Sequence, residues 1–214
     1  MELYQNNLIT QEDIRRNHEN YIQRLAFYKK RGFDQLQARY NILDHIGNHP
    51  KSILEIGTGK GHLTVLLAGR AEKVVTVDIN KDDQYIALLN AEYEKVSSKI
   101  DFVYANAENL EFPDNSFDLV ISAFSFHHFD KPYAIIREMI RITNDYLIIT
   151  DFHKIGLSII AQAHRDEGRI HEYNENNDFS ITGIFLKENG FSVKEQSDPW
   201  QTIFVARKKK DLGG

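Results

Sequence analysis

Three glycines within five residues, Gly57, Gly59 and Gly61, separate the apolar stretch Ser52-Ile53-Leu54-Glu55-Ile56 from a helix-compatible run that begins at His62. Glycine permits positive φ and lets a ligand come close to the backbone. The first turn of a helix presents N–H groups without intrahelical acceptors. A strand, a glycine turn and a helix in immediate succession therefore favour a β–turn–α unit beside which a carboxylate, phosphate or ribose can lie. A phosphate-binding P-loop requires Gly-Lys followed by Ser or Thr. Here Gly59-Lys60 is followed by Gly61, and that reading fails. The dinucleotide fingerprint is G-x-G-x-x-G. In this chain the third glycine comes one residue early and position 62 is His. A cofactor turn of another kind and a purely structural turn remain.

The pattern around the turn sets the fold class. Thr10, with Asp13 as the fourth residue of a capping box, predicts the start of an N-terminal helix that carries Ile14, Tyr21, Leu25 and Tyr28 and stops at Gly32. A second helix capped by Asp34 carries Leu36, Tyr40, Leu43 and Ile46. Short β-prone runs then alternate with helical ones. The strands are 52–56, 74–77, 100–104, 117–121 and 145–150, and the helices are 62–70, 82–96 and 132–142. This alternation implies a parallel sheet with right-handed crossovers. Near the C-terminus the rhythm breaks. A helix at about 181–189, closed by Gly190, precedes strands 191–195 and 202–206. The gap Ser197-Asp198-Pro199-Trp200 is too short for a helical crossover, so the last two strands form an antiparallel hairpin. The expected layout is an N-terminal helical cap, 1–49, on a domain spanning 50–210, compact as a whole.

Composition narrows the function classes. The 214 residues include no cysteine, which removes disulfides, thiolate ligands and thiol nucleophiles and fits a cytoplasmic protein. No run approaches the ~20 apolar residues of a membrane span. Residues 1–6 show no basic region followed by an apolar one, so no signal peptide is expected. A net charge of −5 argues against a large nucleic-acid footprint. The one basic run, Arg207 to Lys210, reads as a solvated tail after the last strand, with a phosphate contact as the alternative.

Two further elements join the glycine turn. Asp78 ends the second strand and lies 78 − 57 = 21 residues after the first glycine. A carboxylate there can accept both hydroxyls of an adenosine ribose, or merely cap a helix. The third element is Asn106-Ala107-Glu108-Asn109-Leu110-Glu111-Phe112-Pro113-Asp114-Asn115-Ser116-Phe117-Asp118-Leu119-Val120-Ile121. The acidic G-x-G-x-G turn resembles the first motif of class I S-adenosylmethionine (SAM)-dependent methyltransferases. The third element resembles the pattern D-A-x-x-L-P-F-x-D-x-S-F-D-x-V of their small-molecule group, the type 11 or UbiE-like enzymes. The departures are Asn106 for the usual acidic residue, Glu111 for Pro, and Thr143-Asn144-Asp145 where the family often has Pro-Gly-Gly.

The resemblance implies a Rossmann-like α/β fold, a seven-stranded sheet of order 3-2-1-4-5-7-6 with the last strand antiparallel and helices on both faces. It implies SAM as methyl donor and S-adenosylhomocysteine (SAH) as product. It places cofactor contacts at Glu55, Gly57, Thr58, Gly59, Gly61, Asp78, Ile79, Asn106, Ala107, Glu108 and Ser122. The acceptor is expected to be a small molecule, and the protein a monomer or homodimer. A non-catalytic SAM-binding protein, or an enzyme acting on RNA or protein, is the alternative. The amino-adenine methyltransferase signature [DN]-P-P-[FYW] is absent, since strand four ends in Ser122-Ala123-Phe124-Ser125.

Candidates for proton transfer or substrate positioning belong beyond the carboxyl ends of strands four and five. His127 and His128 occupy that place, each able to act as a base or to brace the loop. Asp151 and His153 are weaker candidates, and Asp151 can equally cap a helix. His127, His128, His153, His164 and His171 show no tight ligand spacing, so no metal is expected. Tyr4, Tyr21 and Tyr28 are candidates for a lid over the cofactor, and residues 154–178 for a specificity element.

Overall fold

The computed structural model describes residues 9–47, 49–168, 173–174 and 176–209. Its order is α1 (Gln11–Lys30), α2 (Gln35–Leu43), β1 (Ser52–Ile56), α3 (His62–Ala68), β2 (Lys73–Asp78), α4 (Lys81–Tyr93), β3 (Ile100–Tyr104) and β4 (Phe117–Ala123). Then come α5 (Pro132–Ile142), β5 (Thr143–Phe152), α6 (Lys154–Asp166), α7 (Thr182–Glu188), β6 (Phe191–Ser197) and β7 (Gln201–Lys208).

The strands form one sheet of order β3-β2-β1-β4-β5-β7-β6. Neighbours pair in parallel except around β7, which runs antiparallel to both β5 and β6. This is the order the resemblance implies. The C-terminal hairpin follows from its turn, where Asp198 Oδ1 accepts the N–H groups of Trp200 and Gln201 at 2.8 and 3.0 Å.

Both faces of β1 and β4 are covered, as their largely apolar sequences require. Leu54, Ile56, Val120 and Leu147 pack with Ile136 and Met139 of α5 on one face. Ile53, Leu119 and Ile148 pack with Leu67 of α3 and Ile42 of α2 on the other. Chain order reverses between β1 and β4, and open sheets hold ligands at the carboxyl ends of strands beside such a reversal.

The capping box at α1 is formed, with Thr10 Oγ1 accepting the Asp13 N–H at 3.1 Å. Gly32, at φ +91°, follows that helix and Asp34 caps the next. Three expectations change. Lys95, at φ +59°, lies just past α4, which ends at Tyr93 rather than near residue 96. Thr143-Asn144-Asp145 is no turn, because α5 runs straight into β5 at Thr143. The basic run is no solvated tail at its start. Arg207 and Lys208 belong to β7, Arg207 pairs with Asp145 at 3.1 Å, and Lys208 donates to the Thr143 carbonyl. Lys210 lies outside the described residues, as do residues 1–6, with Tyr4, and His171.

Candidate functional site

The glycine turn is tied to the end of β2 by its own backbone. The N–H groups of Gly57 and Thr58 donate to the Val77 carbonyl at 2.9 and 3.2 Å. Gly59 N–H donates to Asp78 Oδ2 at 2.7 Å, and Asn80 N–H to Asp78 Oδ1 at 2.9 Å. All three glycines are left-handed, at φ +89°, +47° and +73°. A Cβ on Gly57 would stand 2.2 Å from Ser125 Oγ, and one on Gly61 2.5 Å from the Ala87 Cβ. A Cβ on Gly59 would meet nothing within 4 Å, so the open space of the turn lies over its middle glycine.

Beneath the turn runs a buried polar chain. Glu55 Oε2 accepts from the hydroxyls of Thr64 and Thr76. The Thr76 hydroxyl also meets Thr58 Oγ1 at 2.7 Å. Gln84 Nε2 reaches the same Thr58 oxygen and the Val103 carbonyl. Burial pushes the Glu55 carboxyl up to about 7, against the opposing pull of its two threonine donors. Glu55 and the Thr58 hydroxyl thus face into the sheet, and at the turn Thr58 offers backbone. Gln84 has no sequence signal, since it sits within an ordinary helical pattern.

A cleft of about 130 Å³ opens from Gly57 past Asp78 and Ile79 to Asn106, Ala107 and Glu108, closed on the far side by His128, Phe129 and Ile135. Ile79 is exposed over it. Asn106 Oδ1 accepts the Glu108 N–H at 2.9 Å, and the Glu108 carboxylate pairs with Lys131 at 2.7 Å. Ser122 is buried on β4 beside Ile56, and its Oγ has no hydrogen-bond partner. The structure therefore gathers most of the sequence-derived cofactor residues around one cleft, with Glu55 and Ser122 buried beneath it.

The two histidines differ. His127 is buried, with Nδ1 at 2.7 Å from Asp151 Oδ1 and its backbone N–H donating to Asp151 Oδ2 at 2.7 Å. Phe152 N–H also donates to Asp151. A carboxylate accepts, so Nδ1 carries the hydrogen of this bond. His128 is exposed, its ring 3.9 Å from that of His127, and it borders both the cleft and a second cavity. Asp151 is thus the partner of His127 rather than a helix cap. The cap of α6 is His153, whose Nδ1 accepts the Gly156 N–H, so His153 serves the helix.

The second cavity, about 220 Å³, lies between α1, α2, the glycine turn and the ends of β4 and β5. Phe124, at φ +56°, stacks on Phe152 at 4.6 Å, and Phe33 meets both rings edge-on. Arg39 and Lys60 also line it. Sequence reasoning did not find Arg39, because nothing in an α2 pattern marks one charged residue as facing inward. Tyr28 is buried under α6, with its hydroxyl 3.1 Å from Glu167, and Arg31 pairs with Asp166 at 2.7 Å. Asn17 bonds Asn90, which in turn donates to the Lys60 carbonyl, so α1 is linked to the glycine turn. Tyr21 stacks on His62 at 4.3 Å. Among the described residues no three His, Cys, Asp or Glu side chains are grouped to hold a metal ion, and no helix is long and apolar enough to cross a membrane.

Residues 54–146 match the family model described as a methyltransferase domain. A ubiquinone/menaquinone biosynthesis C-methyltransferase UbiE of Hahella chejuensis is 33% identical over 138 residues, 62% of this chain and 55% of that protein. The chain thus spans about half the length of the curated relatives it matches. A solved structure from Methanococcus maripaludis, titled a putative S-adenosyl-L-methionine-dependent methyltransferase, superposes with a TM-score of 0.67 at 20% identity, covering 96% of this chain and 98% of that one. The magnesium protoporphyrin IX methyltransferase of Synechocystis, solved with bound SAH, gives 0.58 at 18% identity over 97% and 92%. At these identities the solved structures share the fold.

Proposed function

We propose that this chain, whose residues 54–146 match a methyltransferase domain, is a class I SAM-dependent methyltransferase of the type 11 group that binds SAM in the cleft at the glycine turn and transfers its methyl group to a small-molecule acceptor. The observation that carries this reading is the cleft itself. One wall is Ile56 and Gly57 at the start of the glycine turn, the next is Val77 to Ile79, and the third is Ala105 to Glu108. Asp78 keeps lone pairs beyond those used by Gly59 and Asn80, and these suit two ribose hydroxyls. Asn106 retains a second lone pair for the adenine amino group. The helices α1 and α2 act as the cap.

When bound, the sulfonium supplies a methyl carbon that bonds to the acceptor's lone pair as the carbon–sulfur bond breaks, leaving neutral SAH. The chain's own task is to align the acceptor, exclude water and receive the acceptor's proton if it has one. Phe33, Phe124 and Phe152 give the cavity an apolar wall against which an acceptor can displace water. His127, with Nδ1 fixed by Asp151, offers Nε2 as the proton acceptor, and His128 positions the substrate at the mouth.

Calorimetry with SAM and SAH tests the first layer: both bind, and absence of both sinks the reading. Asp78→Ala weakens SAH binding by about tenfold or more, the worth of a charge-assisted hydrogen bond. An unchanged affinity removes the ribose assignment. Methyl transfer found only on RNA or protein overturns the acceptor class.

A further inference from the structure

The cavity beside His127 has an uneven charge. Among the described residues Arg24, Arg39 and Lys60 line it, four histidines join them, and no aspartate or glutamate does, although the chain as a whole carries −5. Arg24 is offset by Glu167 at 3.6 Å. Arg39 is not offset. Its Nη1 donates to the Gln35 carbonyl at 2.6 Å within α2, its Nε is buried with no hydrogen-bond partner, and it forms no ion pair among the described residues. Glu55, the buried carboxylate nearest in charge, is already engaged by Thr64 and Thr76. Desolvation lowers the Arg39 pKa, and burial first, then the charges of Arg39, Lys60 and Arg24, hold His62 well below its ordinary range.

A half-buried guanidinium whose Nε is buried and which has no counter-ion is costly, and a planar carboxylate matches its fork of donors. The surroundings add shape. The Arg39 guanidinium lies 5.9 Å from the Phe124 ring, Phe124 stacks on Phe152, and the Phe152 ring lies 5.7 Å from the His127 ring at a tilt. Arg39 and His127 are thus linked through one pair of stacked rings, and both line the same cavity.

The geometry points to a planar, anionic acceptor: an aromatic or conjugated carboxylate whose acid group is held by Arg39 while its nucleophilic atom lies toward His127. This rests on the methyltransferase reading for the identity of the site, and it deepens that reading by naming the acceptor class. Arg39 is a specificity-determining residue here, and its partner is the acceptor rather than the amino-acid end of the cofactor.

The test uses ligand-observed NMR on the full chain, with benzoate and its neutral isostere benzamide as probes, in the presence and absence of saturating SAH. Benzoate is expected to bind about tenfold more tightly than benzamide, a preference of about 1.4 kcal/mol. Arg39→Gln removes the preference while leaving SAH affinity within twofold. Arg39→Lys, which keeps the charge, retains part of it and controls for misfolding. No preference for benzoate, or binding of neither probe, overturns the proposal. So does a loss of SAH affinity in Arg39→Gln, which assigns Arg39 to the cofactor's carboxylate. A protein that ignores SAH yet still prefers benzoate through Arg39 overturns the methyltransferase reading and keeps the anion site.

Discussion

The two halves of the site are built from different material. The cleft at Asp78 is made by short segments at 56–57, 77–79, 105–108 and 128–130 with Ile135, and the first two are joined by main-chain hydrogen bonds. The cavity at His127 is made by side chains from α1, α2, the glycine turn, the ends of β4 and β5, and α6. A site made of main chain depends on where glycine stands and tolerates many side chains. A site made of side chains can be rebuilt residue by residue without disturbing the sheet. That division lets one scaffold keep a cofactor and change its acceptor.

The largest effect that can break this division is at the turn. Gly61→Val is expected to lose about 2–5 kcal/mol of stability, from a left-handed φ together with a clash against Ala87. Gly59→Ala, with nothing within 4 Å, carries only the conformational part, about 1–2 kcal/mol. Urea denaturation separates them, and equal losses mean that close packing at Gly61 does not matter. Next comes Asp151→Ala. It strands three N–H donors, two on His127 and one on Phe152, and is expected to destabilise by about 1–3 kcal/mol. SAH affinity measured by calorimetry should stay within twofold, and a large drop would show that the two halves are coupled.

The smallest effect sharpens the comparison from below. Glu55 is held at about 7 in the folded chain, above its ordinary 4.5. The native state therefore binds the extra proton, and this contribution is full below the ordinary value and fades as pH rises toward about 7. Glu55→Gln should remove that slope, so the variant gains on the parent between pH 5 and 8 in thermal denaturation. Identical pH profiles would show that Glu55 stays ionised beneath the turn.

What the sequence reveals follows the same division. Glycine spacing, Asp78 at a strand end and the alternation of elements are local signals, and they locate the cleft and the sheet order. The C-terminal hairpin was legible because four residues cannot carry a crossover. The pairing of His127 with Asp151 was half visible: both residues stood out, but only the parallel pairing of β4 and β5 brings residues 24 apart together. Arg39 and Gln84 were invisible, since a buried polar residue on a helix looks like its exposed neighbours until the opposite surface is known. Lys208 shows the converse, a charge that reads as tail and ends bonded to the first residue of β5.

The hydrogen bonds from Gly57, Thr58 and Gly59 to the end of β2 have a thermodynamic consequence. Each is made within the chain, between the turn and the end of β2, and calls on no ligand atom. Fixing a residue's backbone costs about 1–2 kcal/mol of conformational entropy, and in this turn folding has already met that cost. A ligand docking there is spared it, so its affinity rests on contacts made rather than on loop ordering. Amide exchange in the turn should accordingly be slow in the free protein and change little on binding, the signature of a preorganised receptor.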